Sequence, residues 1–481
     1  MNLRPQEGLT FDDVLLVPKR SRIRSRFAVS TRACFSRNIE IAIPIISSNM
    51  DTVTESAMAI AMARAGGIGV IHRFMSAEKQ ANEVRRVKRA ESVMVDDPQH
   101  IAPDATIDEA RQMMADLDIG GLVVLDANER LLGLVTTRDV MFEKDASRLV
   151  CEVMTPFDKL ITAQANTSLE DARELLHAHR LEKLPVVNGD HHLVGLITAQ
   201  DIVKAEESPV ATKDKHGRLR VAVAVGVKQD DMERAEACIK AGADALVVDI
   251  AHGHADFALD MVRALKQRFP TVDVVGGNVA TADGVRDMVE AGADAVKVGV
   301  GAGSICITRI VTGFGVPQLT AIADCAEAGH ELNVPVIADG GIRNGGDLTK
   351  ALAAGASTAM IGSLLAGTDE SPGRAMVRDG RRVKIVRGMA SLSANIDRRE
   401  VELRREVDPA DWEKVVPEGV EAVVPVRGPA RDTIYQLVGG LRSGLSYAGA
   451  STIEELWQNA EFMRITDAGK RESGSHDVEK I

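Results

Sequence analysis

Short apolar runs recur along most of the chain, and stretches of helical period separate them. The runs are IAIPIIS (41–47), IGVI (68–71), RVAVAVG (220–226), ALVVD (245–249), VDVVGG (272–277), AVKVG (295–299), VPVIAD (334–339) and TAMIG (358–362). Between them lie amphipathic segments such as DDMERAEACIKAG (230–242) and TADGVRDMVEAG (281–292), several ending in Ala-Gly, a helix C-cap signal. Eight strands alternating with helices predict an α/β fold, the TIM (β/α)8 barrel. In such a barrel the residues just past each strand converge on one face, where active sites lie. Here they are Ser47-Ser48-Asn49, His72, Asp249, Asn278, Gly299 to Cys306, Asp339-Gly340-Gly341 and Gly362-Ser363.

Residues 93–205 break the alternation with an internal repeat. GLVVLDANERLLGLVTTRDV (121–140) resembles LPVVNGDHHLVGLITAQDI (184–202) at an offset of 62 residues, pairing Gly133 with Gly195, Asp139 with Asp201 and Ala110 with Ala172. Each copy reads as helix, two short strands, helix. The pattern resembles a pair of CBS motifs, small regulatory modules that bind purine nucleotides. The run ending Thr-x-x-Asp occurs as Thr136/Asp139 and Thr198/Asp201. The resemblance implies a nucleotide ribose held by each Asp, while helix N-capping by the same residues is the plainer account. The predicted organisation is 1–92 as the first part of the barrel, 93–205 as the inserted pair, and 206–481 as the rest of the barrel. A polar return linker covers 206–218.

Composition narrows the function classes. The chain has 481 residues, 27% of them charged, with a net charge of −12 and no Lys/Arg-rich tract. That disfavours nucleic acid as a partner. No apolar run approaches the roughly 18 residues of a membrane helix, and the N-terminus lacks a signal-peptide core, so the expectation is a cytoplasmic protein without a membrane partner. Five scattered cysteines have no metal-ligand spacing. Four are expected to be buried structural thiols.

The exception is Cys306, in the loop GVGAGSICITR (299–309). Three glycines let that backbone fold closely around a ligand, and a thiol before a helix start is placed as a nucleophile. Phosphate is expected at the loops after the seventh and eighth strands, ADGGIRNGGD (338–347) and IGSLLAG (361–367). Asp339 suits ribose hydroxyls. The charged stretch after KIVRGMASLSAN (384–395) is either a structureless surface loop or a mobile lid, with the flap at about 384–429.

The motifs GLTFDDVLLVP (8–18), SSNMDTVTE (47–55), DIAHGH (249–254), GGNVAT (276–281), GVGAGSICITR, ADGGIR, IGSLLAGTDESPG, RGMAS and GGLRSG together resemble the IMP dehydrogenase/GMP reductase family over almost the whole length. The resemblance implies a purine nucleoside monophosphate substrate whose C2 is attacked by Cys306, with Thr308 and Glu418 assisting. It implies nucleotide contacts from Ser48, Met50, Ser304, Asp339, Gly340, Gly341, Gly362, Ser363, Arg387, Gly388, Met389 and Ala390. Asp249, Asn278 and Gly299 would face a nicotinamide cofactor. The carbonyls of Gly299, Gly301 and Cys306 would hold a potassium ion. Homotetramers, and octamers joined by CBS pairs, are the assemblies the resemblance implies.

Two reactions divide the family. The dehydrogenase oxidises IMP to XMP with NAD and uses an Arg-Tyr pair on the flap as hydrolytic base. The reductase converts GMP to IMP and ammonia with NADPH. Here the Arg-Tyr position falls at Arg404-Arg405, and the chain's two tyrosines are Tyr435 and Tyr447. Two guanidinium groups cannot supply a phenol. Val386 stands where a Tyr precedes RGM in dehydrogenases, and RGMAS replaces RGMGS. The expectation is an NADPH-dependent GMP reductase carrying a CBS pair. PEGVEA and the CBS insert itself favour the dehydrogenase. A silent regulator and a flavin-dependent barrel enzyme are the other classes. Cys306 in its Gly-rich loop argues against both.

Overall fold

A computed structural model of the chain describes residues 3–91, 94–95, 98–117, 119–164, 167–200, 202–203, 208–403 and 415–474. Among these residues the chain falls into two compact units, Arg89–Pro209 with Asp214–Arg218 forming the smaller.

The larger unit is a closed barrel of eight parallel strands. They are β1 (Ile45–Ser47), β2 (Ile68–Ile71), β3 (Ala222–Val225), β4 (Ala245–Asp249), β5 (Asp273–Val279), β6 (Ala295–Val298), β7 (Val336–Asp339) and β8 (Thr358–Ile361). β8 pairs with β1, and β2 pairs with β3 across the insertion point, Ala222 lying opposite Val70. Strands this apolar are buried on both faces, which is why they read as continuous runs. Seven helices alternate with them: α1 (Ser56–Arg64), α2 (Ala77–Ala90), α3 (Asp230–Lys240), α4 (Asp256–Arg268), α5 (Ala282–Glu290), α6 (Gln318–Glu331) and α7 (Gly345–Ala353). After β8 come α8 (Ser363–Ala366), the antiparallel sheet β9 (Met376–Arg378), β10 (Arg381–Arg387) and β11 (Glu421–Pro425), with α9 (Leu392–Leu403) between β10 and β11, and then α10 (Ala430–Ala448). α10 packs on α7 and α1 and completes the outer ring. Gly345 and Gly440 let α7 and α10 approach closely, since a Cβ on Gly345 would lie 3.0 Å from the Gly440 Cα.

The barrel interior holds Ile46, Val70, Ala224, Val247, Val275, Ala295, Ile337 and Met360. Its N-terminal end is plugged by a hairpin, Ala33–Ser36 with Ile39–Ile41, whose Phe35, Ile39 and Ile41 join that core. Asp273 anchors the hairpin, accepting from the Asn38 backbone N–H at 3.1 Å and side-chain amide at 2.7 Å. The expected strand 41–47 is therefore two pieces. Pro44 lacks an N–H, so the apolar run ends one hairpin and starts β1. The flap also differs from a structureless loop: it carries α9 and β11. Residues 404–414, including Arg404 and Arg405, lie outside the described residues.

The smaller unit holds two similar sheets. Gly121–Leu125 pairs with Leu131–Thr136, and Lys183–Val187 with Leu193–Thr198. The equivalent glycines make equivalent contacts: a Cβ on Gly133 would meet the Met154 sulfur at 2.6 Å, and one on Gly195 the Met94 sulfur at 2.7 Å. Thr136 and Asp139 form a capping box, the Asp139 carboxylate accepting from the Thr136 backbone N–H at 2.8 Å and hydroxyl at 2.7 Å. Thr198 ends its strand; Asp201 lies outside the described residues.

Candidate active site

Side chains alternate along a strand, so the residue two positions past a core residue faces the barrel axis one layer higher. Asp249 follows Val247, Lys297 follows Ala295 and Asp339 follows Ile337. These three meet at the top of the barrel. The Lys297 ammonium, 2% exposed, donates to Asp249 Oδ1 at 2.6 Å and to Asp339 Oδ2 at 2.8 Å, and also to Asn278 Oδ1. Asn278 donates to the Gly299 carbonyl at 2.7 Å and to Asp339 at 2.9 Å. Asn49 donates to Asp249 at 2.8 Å. Burial opposes the charge on Lys297, but its two carboxylates outweigh burial and raise its pKa. Burial likewise pushes Asp249 up, while Lys297 and Asn49 pull harder and leave its carboxyl below the usual range.

Above this layer the loop after β6 carries Cys306. Gly299 and Gly301 have φ of +150° and +76°. A Cβ on Gly299 would fall 2.0 Å from the Asp339 carbonyl oxygen, so only glycine fits there. Among the described residues no hydrogen bond reaches the carbonyls of Gly301 or Cys306. The Cys306 thiol donates to the Thr308 hydroxyl at 3.2 Å, which in turn donates to Glu418 Oε2 at 2.8 Å. Two segments lock this chain in place. Ile307 N–H donates to the Glu418 carbonyl at 2.8 Å, Val420 N–H to the Ile305 carbonyl at 3.0 Å, and Glu418 N–H to the Ala390 carbonyl at 3.0 Å. Gly388 and Gly419 allow the close approach, a Cβ on Gly388 lying 3.2 Å from the Gly419 Cα.

The groups line one cavity of about 270 Å³. Of the expected residues it brings together Ser48, Met50, Asp249, Asn278, Gly299, Gly301, Cys306, Thr308, Asp339, Gly340, Gly388, Met389, Ala390 and Glu418. Ser304, Gly341, Gly362, Ser363 and Arg387 do not line it. Gly341 is backed by Phe11, whose ring would lie 3.3 Å from a Cβ there, and Gly362 faces the Met50 sulfur at 3.1 Å by the same measure. Arg387 is held by Asp51 at 2.7 Å, Asp397 at 2.6 Å and Ser393 at 3.0 Å, so its guanidinium fixes the turn that follows. His72, past β2, is buried and turned to Glu55 at 3.4 Å.

Sequence reading missed Lys297, Arg73, Phe74 and Arg398, all cavity-lining. A lysine inside AVKVG was the available signal, because a buried charge in an apolar strand needs partners. The expectation of four buried thiols holds for Cys238 and Cys325, whose burial pushes each thiol up to about 12. It is corrected for Cys34 and Cys151, which are exposed: Cys34 lies on the outward side of the plug hairpin, and Cys151 on the solvent side of a four-residue helix.

Comparison with known proteins shows what the chain as a whole resembles. Residues 8–476 match the profile of the IMP dehydrogenase / GMP reductase domain. An inosine-5'-monophosphate dehydrogenase of Nitrosopumilus maritimus is 53% identical, covering 98% of this chain and 99% of its own. A GMP reductase of Leishmania donovani is 50% identical, covering 99% and 98%. A crystal structure of a Trypanosoma brucei GMP reductase variant with guanosine 5'-monophosphate superposes with a TM-score of 0.89 at 48% identity, covering 98% of each chain. Another structure of that reductase, with guanosine 5'-triphosphate, gives 0.78 at 42% identity, covering 96% and 98%.

Proposed function

The chain belongs to the IMP dehydrogenase / GMP reductase family of oxidoreductases, and from that premise we propose that it is an NADPH-dependent GMP reductase. The observation that carries this reading is a cavity holding a thiol–hydroxyl–carboxylate chain and no phenol. Both tyrosines of the chain lie on α10, 67% and 61% exposed, and neither lines the cavity. Glu418 and Thr308 form a proton path to the sulfur, as amine departure needs and hydride transfer alone does not.

Cys306 adds to C2 of GMP, its proton passing to Thr308 and Glu418. The C2–N2 bond then breaks as the amine takes up a proton, and ammonia leaves a thioimidate between sulfur and C2. When bound, NADPH supplies the hydride that replaces the amine at C2. The C2–S bond breaks, freeing IMP and the thiolate. GMP, NADPH and two protons thus become IMP, NADP⁺ and ammonium. Asp339 is suited to the ribose hydroxyls, and the backbone N–H groups of Gly341, Gly362 and Ser363, with Ser304, to the 5'-phosphate. Asp249 and Asn278 are suited to orienting the nicotinamide. The turn at positive φ, with two carbonyls that accept no hydrogen bond among the described residues, suits a potassium ion held by Gly299, Gly301 and Cys306. The smaller unit is read as a CBS pair for purine nucleotides, with Thr136, Asp139 and Thr198 near them.

The second reading is IMP dehydrogenase, favoured by the 53% identical relative. Absorbance at 340 nm separates the two. GMP with NADPH and potassium should lose absorbance and release ammonia, while IMP with NAD should stay flat. A rise in the second cuvette with XMP formed would overturn the reductase reading.

A further inference from the structure

Lys384 sits in the middle of β10, 5% exposed. Its ammonium donates to the Thr368 carbonyl at 2.7 Å, the Ser371 carbonyl at 2.8 Å and the Ser371 hydroxyl at 3.1 Å, with the Asp369 carbonyl at 3.4 Å. No carboxylate is among these partners. An ammonium has three N–H donors, so the shorter contacts use all of them. A buried cation is normally paired with an anion, whereas this one hydrogen-bonds to neutral oxygens alone, the Asp369 and Glu370 carboxylates acting on it only through space. That is the coordination of a monovalent metal ion, supplied here by a side chain of similar charge and size.

The cage is built for it. Ser371 turns its hydroxyl hydrogen to the Ala366 carbonyl at 2.6 Å, leaving lone pairs for Lys384. Thr368 is fully buried and bonds back to the Leu365 carbonyl at 2.7 Å. Asp369 N–H donates to the Gly428 carbonyl and Arg427 N–H to the Gly367 carbonyl, both at 2.9 Å, which closes the loop on the segment between β11 and α10. The loop follows α8, the helix that begins at Ser363. Strand β10 runs on from Lys384 into Gly388, Met389 and Ala390 of the cavity wall, and pairs with β11, which follows Glu418 and Gly419.

We propose that Lys384 is a positioning residue, an internal monovalent cation that fixes the loop behind Ser363 to the sheet carrying the cavity wall and so sets affinity for the nucleotide. The inference rests on the nucleotide reading above, because it takes Ser363 and residues 388–390 to flank one ligand. Lysine stores the charge where a free ion would have to be bound from solution. Among the described residues, removing it leaves the Ser371 and Asp369 carbonyls without a donor, while the Thr368 carbonyl keeps only the Ser371 backbone N–H at 3.3 Å and hydroxyl at 2.8 Å.

The test uses the full chain at one fixed potassium concentration. Lys384→Met keeps the apolar stem and removes the charge. It should weaken GMP binding about tenfold, through KM rather than kcat. Lys384→Ala deletes the atoms of propylammonium. Added propylammonium should restore GMP affinity in that variant alone, and raise its melting temperature, while tetramethylammonium should do neither. Wild-type affinity for GMP in Lys384→Met, or a weakened Lys384→Ala that propylammonium does not restore, would overturn the proposal. If Lys384→Ala does not fold, Lys384→Met decides by itself. Failure of the wild-type protein to bind GMP would instead refute the nucleotide reading, and the melting temperatures of the alanine variant with and without propylammonium would then decide the cage.

Discussion

Cys306 and Thr308 come from the loop after β6, and Glu418 from a segment 110 residues later. Nothing local holds the carboxylate near the thiol. Its place follows from the backbone ladder joining residues 305–307, 388–391 and 418–420. Thr308→Val keeps the volume and deletes the hydroxyl, so the thiol loses its acceptor and Glu418 its donor. Turnover of GMP should fall by about 10²–10⁴, with GMP affinity by calorimetry nearly unchanged. Undiminished turnover would remove the relay from the mechanism. Lys297 belongs to the same scale. With Asp249 and Asp339 it forms a buried triad whose charges are tolerable only together, so the top layer of the barrel is fixed before any ligand arrives.

At the scale of elements, the N-terminal strap shows how distant segments set a loop. Phe11, 1% exposed, backs Gly341. Asp12 pairs with Arg343 of the loop after β7 and, at 2.9 Å, with Lys470. Lys350 on α7 donates to the Phe11 carbonyl at 2.9 Å. Hydrogen bonds from Arg343 and Lys470 hold the Asp12 carboxyl well below the usual carboxylate range. A depressed carboxyl stabilises the fold above its unfolded pKa of about 3.9, and the contribution fades as pH falls through that value toward the folded one. Arg343→Ala should therefore lower the melting temperature at neutral pH, and the gap to wild type should narrow by about pH 3. A gap independent of pH would show that the strap is held by packing alone. The strands of the barrel were legible because each is an apolar run bounded by turn residues. The plug hairpin was not, because Ile41 to Ser47 reads as one run and only Pro44 marks the corner. Arg73 and Arg398 were illegible for another reason: what they face is decided by how β2 and α9 pack, and no local pattern records that.

At the scale of the whole molecule, the chain interrupts a closed barrel without opening it. β2 and β3, which flank the insert in sequence, pair directly, Val223 lying opposite Ile71. Among the described residues, these apolar clusters of the smaller unit draw on its own residues. One holds Ile107, Leu122 and Val135, another Ala172, Leu184 and Ile197, and a third joins Val123 and Leu134 to Val187 and Leu196. The last cluster draws on both copies, so the repeat folds as a pair, and half of it would leave that face uncovered. No helix among the described residues is long and apolar enough to cross a membrane. Excising residues 93–205 behind a short Gly/Ser linker should thus leave the strand order and the cavity unchanged. GMP turnover at 340 nm should persist within a few-fold, since every cavity-lining residue belongs to the larger unit. Any response of the full chain to added adenine or guanine nucleotides should vanish. Because affinity changes at one site by linkage only if the effector binds a part that is still present, a response that survives excision would move the sensor into the barrel. Loss of all turnover with an intact melting transition would show instead that the insert supports the catalytic geometry.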